Sequence, residues 1–393
     1  MEGEQRSAAQ RVGLGTIVRA WGWIGCTGFG GPPTHIALLR RLCVERRGWI
    51  SAAEFEDGIA ATNLLPGPAS TQLAIFTAWR LRGVPGALVG GAAFILPGLA
   101  LIIGLAALFL AGSPPLWVAG AAAGAGAAVA AVAVQAARAL VPASWKRAGD
   151  ARAARVRWIG YFLAGAVATV LVGPWMALVL LGAGAAEAAV RTRGTRLRAQ
   201  QRATWPLPLA AAVPALGGLL ALAWVAFKVG ALSYGGGFVI IPMMQSDAVH
   251  TYHWMTDSQF LNAVALGQIT PGPVVQTVAV VGYAAAGVPG ALLAAAVAFA
   301  PSFLFVLLGA HRFDRLRADA GVQAFFTGAG PAVIGAITGS AVPLALALQH
   351  AWQYGVLALA ALWLLAARKG VVGSLLGAGA LGVAASLIGW PVG

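Results

Sequence analysis

Apolar residues and glycine fill long stretches of the chain, separated by short clusters of Arg or by turns rich in Pro and Gly. Runs of this kind lie near residues 86–110, 117–137, 158–172, 176–190, 206–227, 288–308, 321–342, 354–367 and 371–390. Many approach the ~20 residues that a helix needs to cross a hydrocarbon core of ~30 Å. The pattern predicts an all-α polytopic membrane protein.

A further apolar stretch, 58–79, does not read as a crossing. It lies between Arg47 and Arg80, so a single crossing would put one of two basic clusters outside. Pro66-Gly67-Pro68 sits at its centre, and the prolines remove backbone donors and clash with the preceding turn. Two half-helices of ~10 residues reach ~15 Å each, half the hydrocarbon thickness. The expected form is a re-entrant hairpin that enters and leaves on one side, and the segment around Gly28-Phe29-Gly30-Gly31-Pro32-Pro33 can do the same. Broken backbone at that depth is tolerated only under a cover of protein or around a polar cavity.

The chain repeats itself. Gly25, Gly30, Gly31, Trp49, Phe55, Pro66, Gly67 and Pro68 recur as Gly230, Gly235, Gly236, Trp254, Phe260, Pro271, Gly272 and Pro273, always 205 residues later. After one deletion, Gly83-Val84-Pro85-Gly86 recurs as Gly287-Val288-Pro289-Gly290. Two related halves follow, 1–200 and 206–393. The loop after the first glycine cluster carries Arg40, Arg41, Arg46 and Arg47, whereas its partner, from Met243 to Phe260, has no Lys or Arg and holds Asp247, His250, His253 and Asp257. Basic loops stay cytoplasmic, so the halves are expected to have opposite orientation, an inverted-topology repeat. With nine crossings and four hairpins there are about 13 apolar segments. All 13 spanning would strand one Arg cluster outside.

Composition narrows the classes. Of 393 residues, 59% are hydrophobic and 10% charged, too few polar groups for a soluble enzyme or a disordered regulator. The net charge of +14 reads as cytoplasmic Lys and Arg, with no basic run interleaved with aromatics to bind nucleic acid. Cys26 and Cys43 have no His cluster beside them, so neither zinc nor a disulfide framework is indicated. Met1 to Ala20 reads as a polar lead-in and not as a signal peptide.

Candidate chemistry concentrates at the duplicated Pro-Gly-Pro. A helix that starts there presents unsatisfied N–H groups and a positive dipole end, which bind anions. The first turns hold Ser70, Thr71 and Gln72 in one half, Gln276 and Thr277 in the other; Asn63, Gln268 and Thr270 precede them. Pro66, Gly67, Pro68, Pro271, Gly272 and Pro273 form the tips, which can meet at one central site. Neutral amide and hydroxyl donors suit a divalent oxyanion that must be held and then released. The plainer reading is that Pro-Gly-Pro only turns the chain. Gly30, Gly31, Tyr234, Gly235 and Gly236 either let backbone approach the substrate or serve close packing. They follow no strand and lack the Lys-Ser/Thr of a phosphate loop, which rejects nucleotide binding. His35 titrates near neutrality and either carries a coupling proton or is structural; Lys228 either draws an anion or snorkels. Asp57 and Asp247 are expected to be solvated at hairpin mouths, and Glu187 to snorkel beside Arg191. Gly120/Gly124 and Gly373/Gly377 support either a homodimer or packing within one chain. No nucleophile with a base and no metal set lies at membrane depth, so no enzymatic activity, cofactor or metal is expected.

Gly28-Phe29-Gly30-Gly31-Pro32 with His35, Leu65-Pro66-Gly67-Pro68-Ala69-Ser70-Thr71-Gln72, Tyr234-Gly235-Gly236-Gly237 with Ile241-Pro242, and Gly267-Gln268-Ile269-Thr270-Pro271-Gly272-Pro273 together resemble the chromate ion transporter (CHR) family in its long two-domain form. The resemblance covers nearly the whole chain and is strongest over 22–100 and 227–308. It implies chromate efflux across the bacterial inner membrane, driven by the proton gradient and conferring chromate resistance. Sulfate, a tetrahedral dianion of similar size, is the natural competitor. A passive oxyanion channel and an importer of sulfate-like anions are the alternatives.

Overall fold

The computed structural model describes residues 12–62, 67–110, 114–171, 176–192, 218–233, 240–309 and 319–392. Asn63, Pro66, Tyr234, Gly235 and Gly236 lie outside them, as do residues 206–217 of the expected connecting span and the basic residues Arg312, Arg315 and Arg317.

The described chain is helical throughout. α1 (Leu14–Thr27) leads through a break to α2 (Pro32–Arg40), which continues as a π-turn over Arg41–Arg46. α3 (Ala52–Thr62) and α4 (Ala69–Phe109) flank the first Pro-Gly-Pro. α5 (Leu116–Ala127), α6 (Val129–Ala148), α7 (Arg152–Leu171) and α8 (Met176–Thr192) follow. The order then recurs: α9 (Gly218–Leu232), α10 (Ile240–Gln245) with a π-turn over Ser246–Thr251, α11 (Asp257–Ile269), and α12 (Thr277–Gly309) after a 3-10 turn at Val274–Gln276. α13 (Ala320–Leu346), α14 (Ala351–Ala361) and α15 (Val371–Leu387) complete it. The described part of the expected 206–227 span thus belongs to α9, the counterpart of α1, and the crossing expected at 117–137 extends to Ala148.

α4 is not one straight helix. Arg82 (φ −145°, ψ 19°) and Gly83 (φ 60°, ψ −147°) leave helical geometry, and Ala286 (φ −153°, ψ 29°) and Gly287 (φ 62°, ψ −152°) repeat the same turn in α12. Only glycine takes up such a backbone readily. The turn folds arm 69–81 back on arm 84–109: a Cβ on Gly86 would strike the Ala78 carbonyl, and one on Gly91 would stand 2.8 Å from the Ile75 side chain. The second arm, at 1.5 Å per residue, is about 39 Å long and spans a bilayer.

Five helices among the described residues are long and apolar enough to cross a membrane by length and composition. Leu96, Leu101, Leu163, Val167, Leu304 and Leu308 are exposed on their outer surfaces, the apolar belt that lipid requires. The protein is an all-α polytopic membrane protein. Lipid gives helices no hydrophobic reason to associate, so contact rests on small residues that let backbones approach. Gly25 lies against the Phe94 carbonyl, and Gly230 against that of Ala298. Gly120 and Gly124 pack on Gly382 and Ala378 of α15, within the chain, whereas Gly377 has open space around it. α13 packs on α6, α7 and α8, and α15 on α5, so late helices seat among early ones.

Arg80, near the Gly83 turn that begins arm 84–109, pairs with Glu54, and Arg40 pairs with Glu56. At the other terminus of that arm, Phe109, Pro114, Ser258, Gln349 and Val392 line a cavity of about 160 Å³, and Trp352 Nε1 donates to the Pro391 carbonyl (3.0 Å).

Candidate functional site

The two Pro-Gly-Pro tips meet the two glycine clusters crosswise. The Gly67 N–H donates to the Ser233 carbonyl (2.6 Å), and the Gly272 N–H donates to the Gly28 carbonyl (3.1 Å). Donors and acceptors are each 205 residues apart, so one bond is the copy of the other. Gly67 and Gly272 hold φ of 121° and 108°, values closed to L side chains. Each tip is therefore a fixed contact between two broken helices as well as a turn.

The side chains around the tips are buried. Pro68 starts arm 69–81, and its carbonyl accepts from Thr71 N (2.9 Å) and Gln72 N (3.0 Å). Ser70, Thr71, Gln72, Gln268, Thr270, Gln276 and Thr277 are all shielded from solvent, as are Pro271 and Pro273. Thr270 and Thr277 spend their hydroxyls locally, on the carbonyls of Leu266 and Val274 (both 2.8 Å). Gln276 Nε2 donates across to the Ile95 carbonyl (2.8 Å). Thr71 Oγ1, Ser233 Oγ, Gln268 Nε2, Gln276 Oε1 and Ser302 Oγ are buried with no hydrogen-bond partner. Buried polar groups are normally paired, so such a concentration marks a place built for something else. Gly30 and Gly31 also keep positive φ (101° and 74°), but Gly30 is exposed and Gly31 half-buried.

His35 ties the first glycine cluster to the first tip. Its Nε2 lies 2.8 Å from the Gly28 carbonyl and its Nδ1 3.2 Å from Ser70 Oγ, with Phe94 edge-on at 5.1 Å. A carbonyl only accepts, so Nε2 carries the proton, and in the neutral ring Nδ1 accepts from the Ser70 hydroxyl. The Gly28 carbonyl thus receives both His35 and Gly272. At the repeat positions stand Ile240 and Val275, which do neither.

Two expectations are overturned. Asp247 is not solvated: it is buried and accepts from Lys228 Nζ at 2.6 Å, because α9 packs beside the π-turn that carries it. Lys228 accordingly does not run free to the surface, and the Trp224 ring lies 6.0 Å from its ammonium. Glu187 does not snorkel either. Its buried carboxylate accepts two bonds from Arg157 (2.7 and 3.0 Å) and one from Arg191 (2.7 Å), with the Tyr161 hydroxyl at 3.3 Å. Outside the spans, burial first and then the Asp247 carboxylate push the pKa of the Tyr252 hydroxyl above its ordinary value.

The unpaired polar groups buried at the tips are neutral amides and hydroxyls. The sequence profile described as "Chromate transporter" matches residues 15–188 and 220–383. The chain belongs to the chromate transporter family. It is 34% identical to the "Chromate transport protein" of Cupriavidus metallidurans over 328 residues, covering 82% of this chain and 80% of that protein. It is 31% identical to the "Probable chromate transport protein" of Synechococcus elongatus (86% and 87% covered) and 30% identical to the "Chromate transport protein" of Pseudomonas aeruginosa (82% and 78%). No solved structure matches the chain. Chromate transport by a multi-pass membrane protein is the function this membership carries, and the relatives are transporters rather than enzymes.

Proposed function

We propose that the chain exports chromate from the cytoplasm across the bacterial inner membrane and thereby confers chromate resistance. Residues 1–200 and 206–393 act as halves of opposite orientation, and a shared site at the two tips opens alternately to each side. The reciprocal Gly67–Ser233 and Gly272–Gly28 hydrogen bonds carry this reading, since they bring both breaks to one place. The separation of the Arg40/Glu56 and Arg80/Glu54 end from the Pro114/Ser258/Val392 end supports the orientation. Arg40 is engaged by Glu56, so the exposed Arg41, Arg46 and Arg47 gather dianions at the cytoplasmic mouth. His35 carries the coupling proton, and sulfate competes for the site.

Thr71→Ala, Gln72→Ala and Gln276→Ala, expressed at normal levels, are expected to lose chromate flux in vesicles. Wild-type export by all three would end the central-site reading. Flux that ignores an imposed pH gradient beyond its electrical effect would make the protein a channel, and unchanged coupling in His35→Gln would remove the histidine's role.

A further inference from the structure

The two tips are alike in backbone and unlike in side chains. Position 98, one residue beyond Pro97, is glycine, and its copy one residue beyond Pro301 is Ser302. Gly98 packs directly on the second tip: a Cβ there would strike the Pro271 carbonyl and stand 2.7 Å from Gln276 Oε1. No side chain fits. Gln276 in turn spends its amide N–H on Ile95, which leaves unpaired at the second tip, among the described residues, an acceptor, Gln276 Oε1, and the amide nitrogen of Gln268, but no hydroxyl.

The first tip is not filled in this way. Ser302 Oγ is fully buried, has no partner, and lies 3.2 Å from where a Cβ on Gly67 would stand. Ser233 gives its carbonyl to the Gly67 N–H, and its hydroxyl is buried and unpaired as well. Thr71 Oγ1, in the first turn of arm 69–81, makes the third unpaired hydroxyl. Ser302 and Ser233 thus lie against Gly67, and Thr71 stands in the first turn that follows it, at the N-terminus of a helical arm where the dipole favours negative charge. Hydroxyls are donors that rotate to suit an acceptor, and the segments that carry them, 60–79, 229–245 and 290–310, contain no Lys or Arg.

We propose that the tetrahedral dianion is bound at the first tip alone, by the hydroxyls of Ser302, Ser233 and Thr71, while the second tip is a structural clamp. The proposal rests on the central-site reading above and assigns that site to one of its two halves. Ser302 and Ser233 become the residues that distinguish an oxyanion, with several acceptor oxygens, from a halide.

An unpaired buried hydroxyl stabilises nothing, so its removal separates binding from folding. The experiment is thermal unfolding of purified wild type, Ser302→Ala, Ser233→Ala and Ser302→Thr in detergent, titrated with chromate, sulfate or chloride. A ligand bound to the folded state raises the melting temperature as the logarithm of one plus its concentration over Kd, so a weaker site needs proportionally more ligand for the same shift. Both alanine variants should melt no lower than wild type without ligand and need about tenfold more chromate or sulfate for the same shift. Ser302→Thr, which keeps the hydroxyl, should recover most of it, and chloride should shift none. Wild-type chromate shifts in both alanine variants, or a lowered ligand-free melting temperature with affinity intact, would overturn the proposal. In the first case, loss of the shift in Gln276→Ala and Thr71→Ala would leave the central-site reading standing. Retention there as well would remove both.

Discussion

Gly272→Ala tests the crossed contact at the centre most directly. Its φ of 108° is closed to alanine, and forcing it costs about 1–3 kcal/mol. The new Cβ would also stand 3.1 Å from both amide heteroatoms of Gln276, so that side chain must shift. Giving by a few tenths of an ångström strains the 2.8 Å bond from Gln276 Nε2 to the Ile95 carbonyl, at a cost of about 1 kcal/mol or more. Even the low end of the sum, about 2 kcal/mol, moves the balance between formed and opened tip roughly 30-fold. Gly83→Ala is the control. It meets comparable backbone strain (φ 60°) at the far end of arm 69–81, with nothing within 4 Å of its Cβ. The assay is chromate flux in proteoliposomes per folded molecule, beside melting temperature in detergent. Both variants should melt lower, and only Gly272→Ala should lose flux, by roughly 30-fold or more. Equal flux in the two variants would refute the claim that the crossed contact organises the site.

Glu187→Gln removes the charge that Arg157 and Arg191 share, and should lower stability by about 2 kcal/mol, since both arginines are partly exposed and can turn to water. Chromate affinity should not move, and a shifted affinity at wild-type melting temperature would contradict a structural role. Lys228→Met and Asp247→Asn should each destabilise by stranding a buried charge, and the double variant should recover part of the loss. A double-mutant cycle with coupling below about 0.5 kcal/mol would show that the pair does not form.

Features that recur between the copies are legible from the residues, and features that differ are not. The Pro-Gly-Pro tips, the glycine clusters and the Gly83 and Gly287 turns stand out because one residue type returns at a fixed spacing. Ser233 and Ser302 escape the same comparison because their copies are Gly28 and Gly98; the signal was the mismatch inside an otherwise matched motif. Asp247 and Glu187 are misread for another reason. Loop charge counts place an acidic residue near a mouth in water, whereas its fate depends on which helix packs beside it. Arg157 lies 30 residues before Glu187, and Lys228 lies 19 before Asp247, separations that no local pattern connects.

The differences between the copies all fall within one frame. His35 with Ser70 faces Ile240 with Val275, Ser302 faces Gly98, and Lys228 with Asp247 replaces Trp23 with Leu42. Two identical halves of opposite orientation would make inward-open and outward-open forms equal in energy, and a ligand with equal affinity for both shifts nothing. Side chains present in one copy alone break that equality while the shared backbone contacts preserve the frame. A dianion at the Ser302 tip and a proton at His35 would then be linked through Ser70, which neighbours Thr71 in the first turn of arm 69–81 and whose hydroxyl lies 3.2 Å from His35 Nδ1. Coupling between them is reciprocal: whatever proton occupancy does to anion affinity, the anion must do to the proton. Chromate affinity should therefore depend on pH in the wild type and lose that dependence in His35→Gln. Equal pH dependence in the two would disconnect the histidine from the anion site.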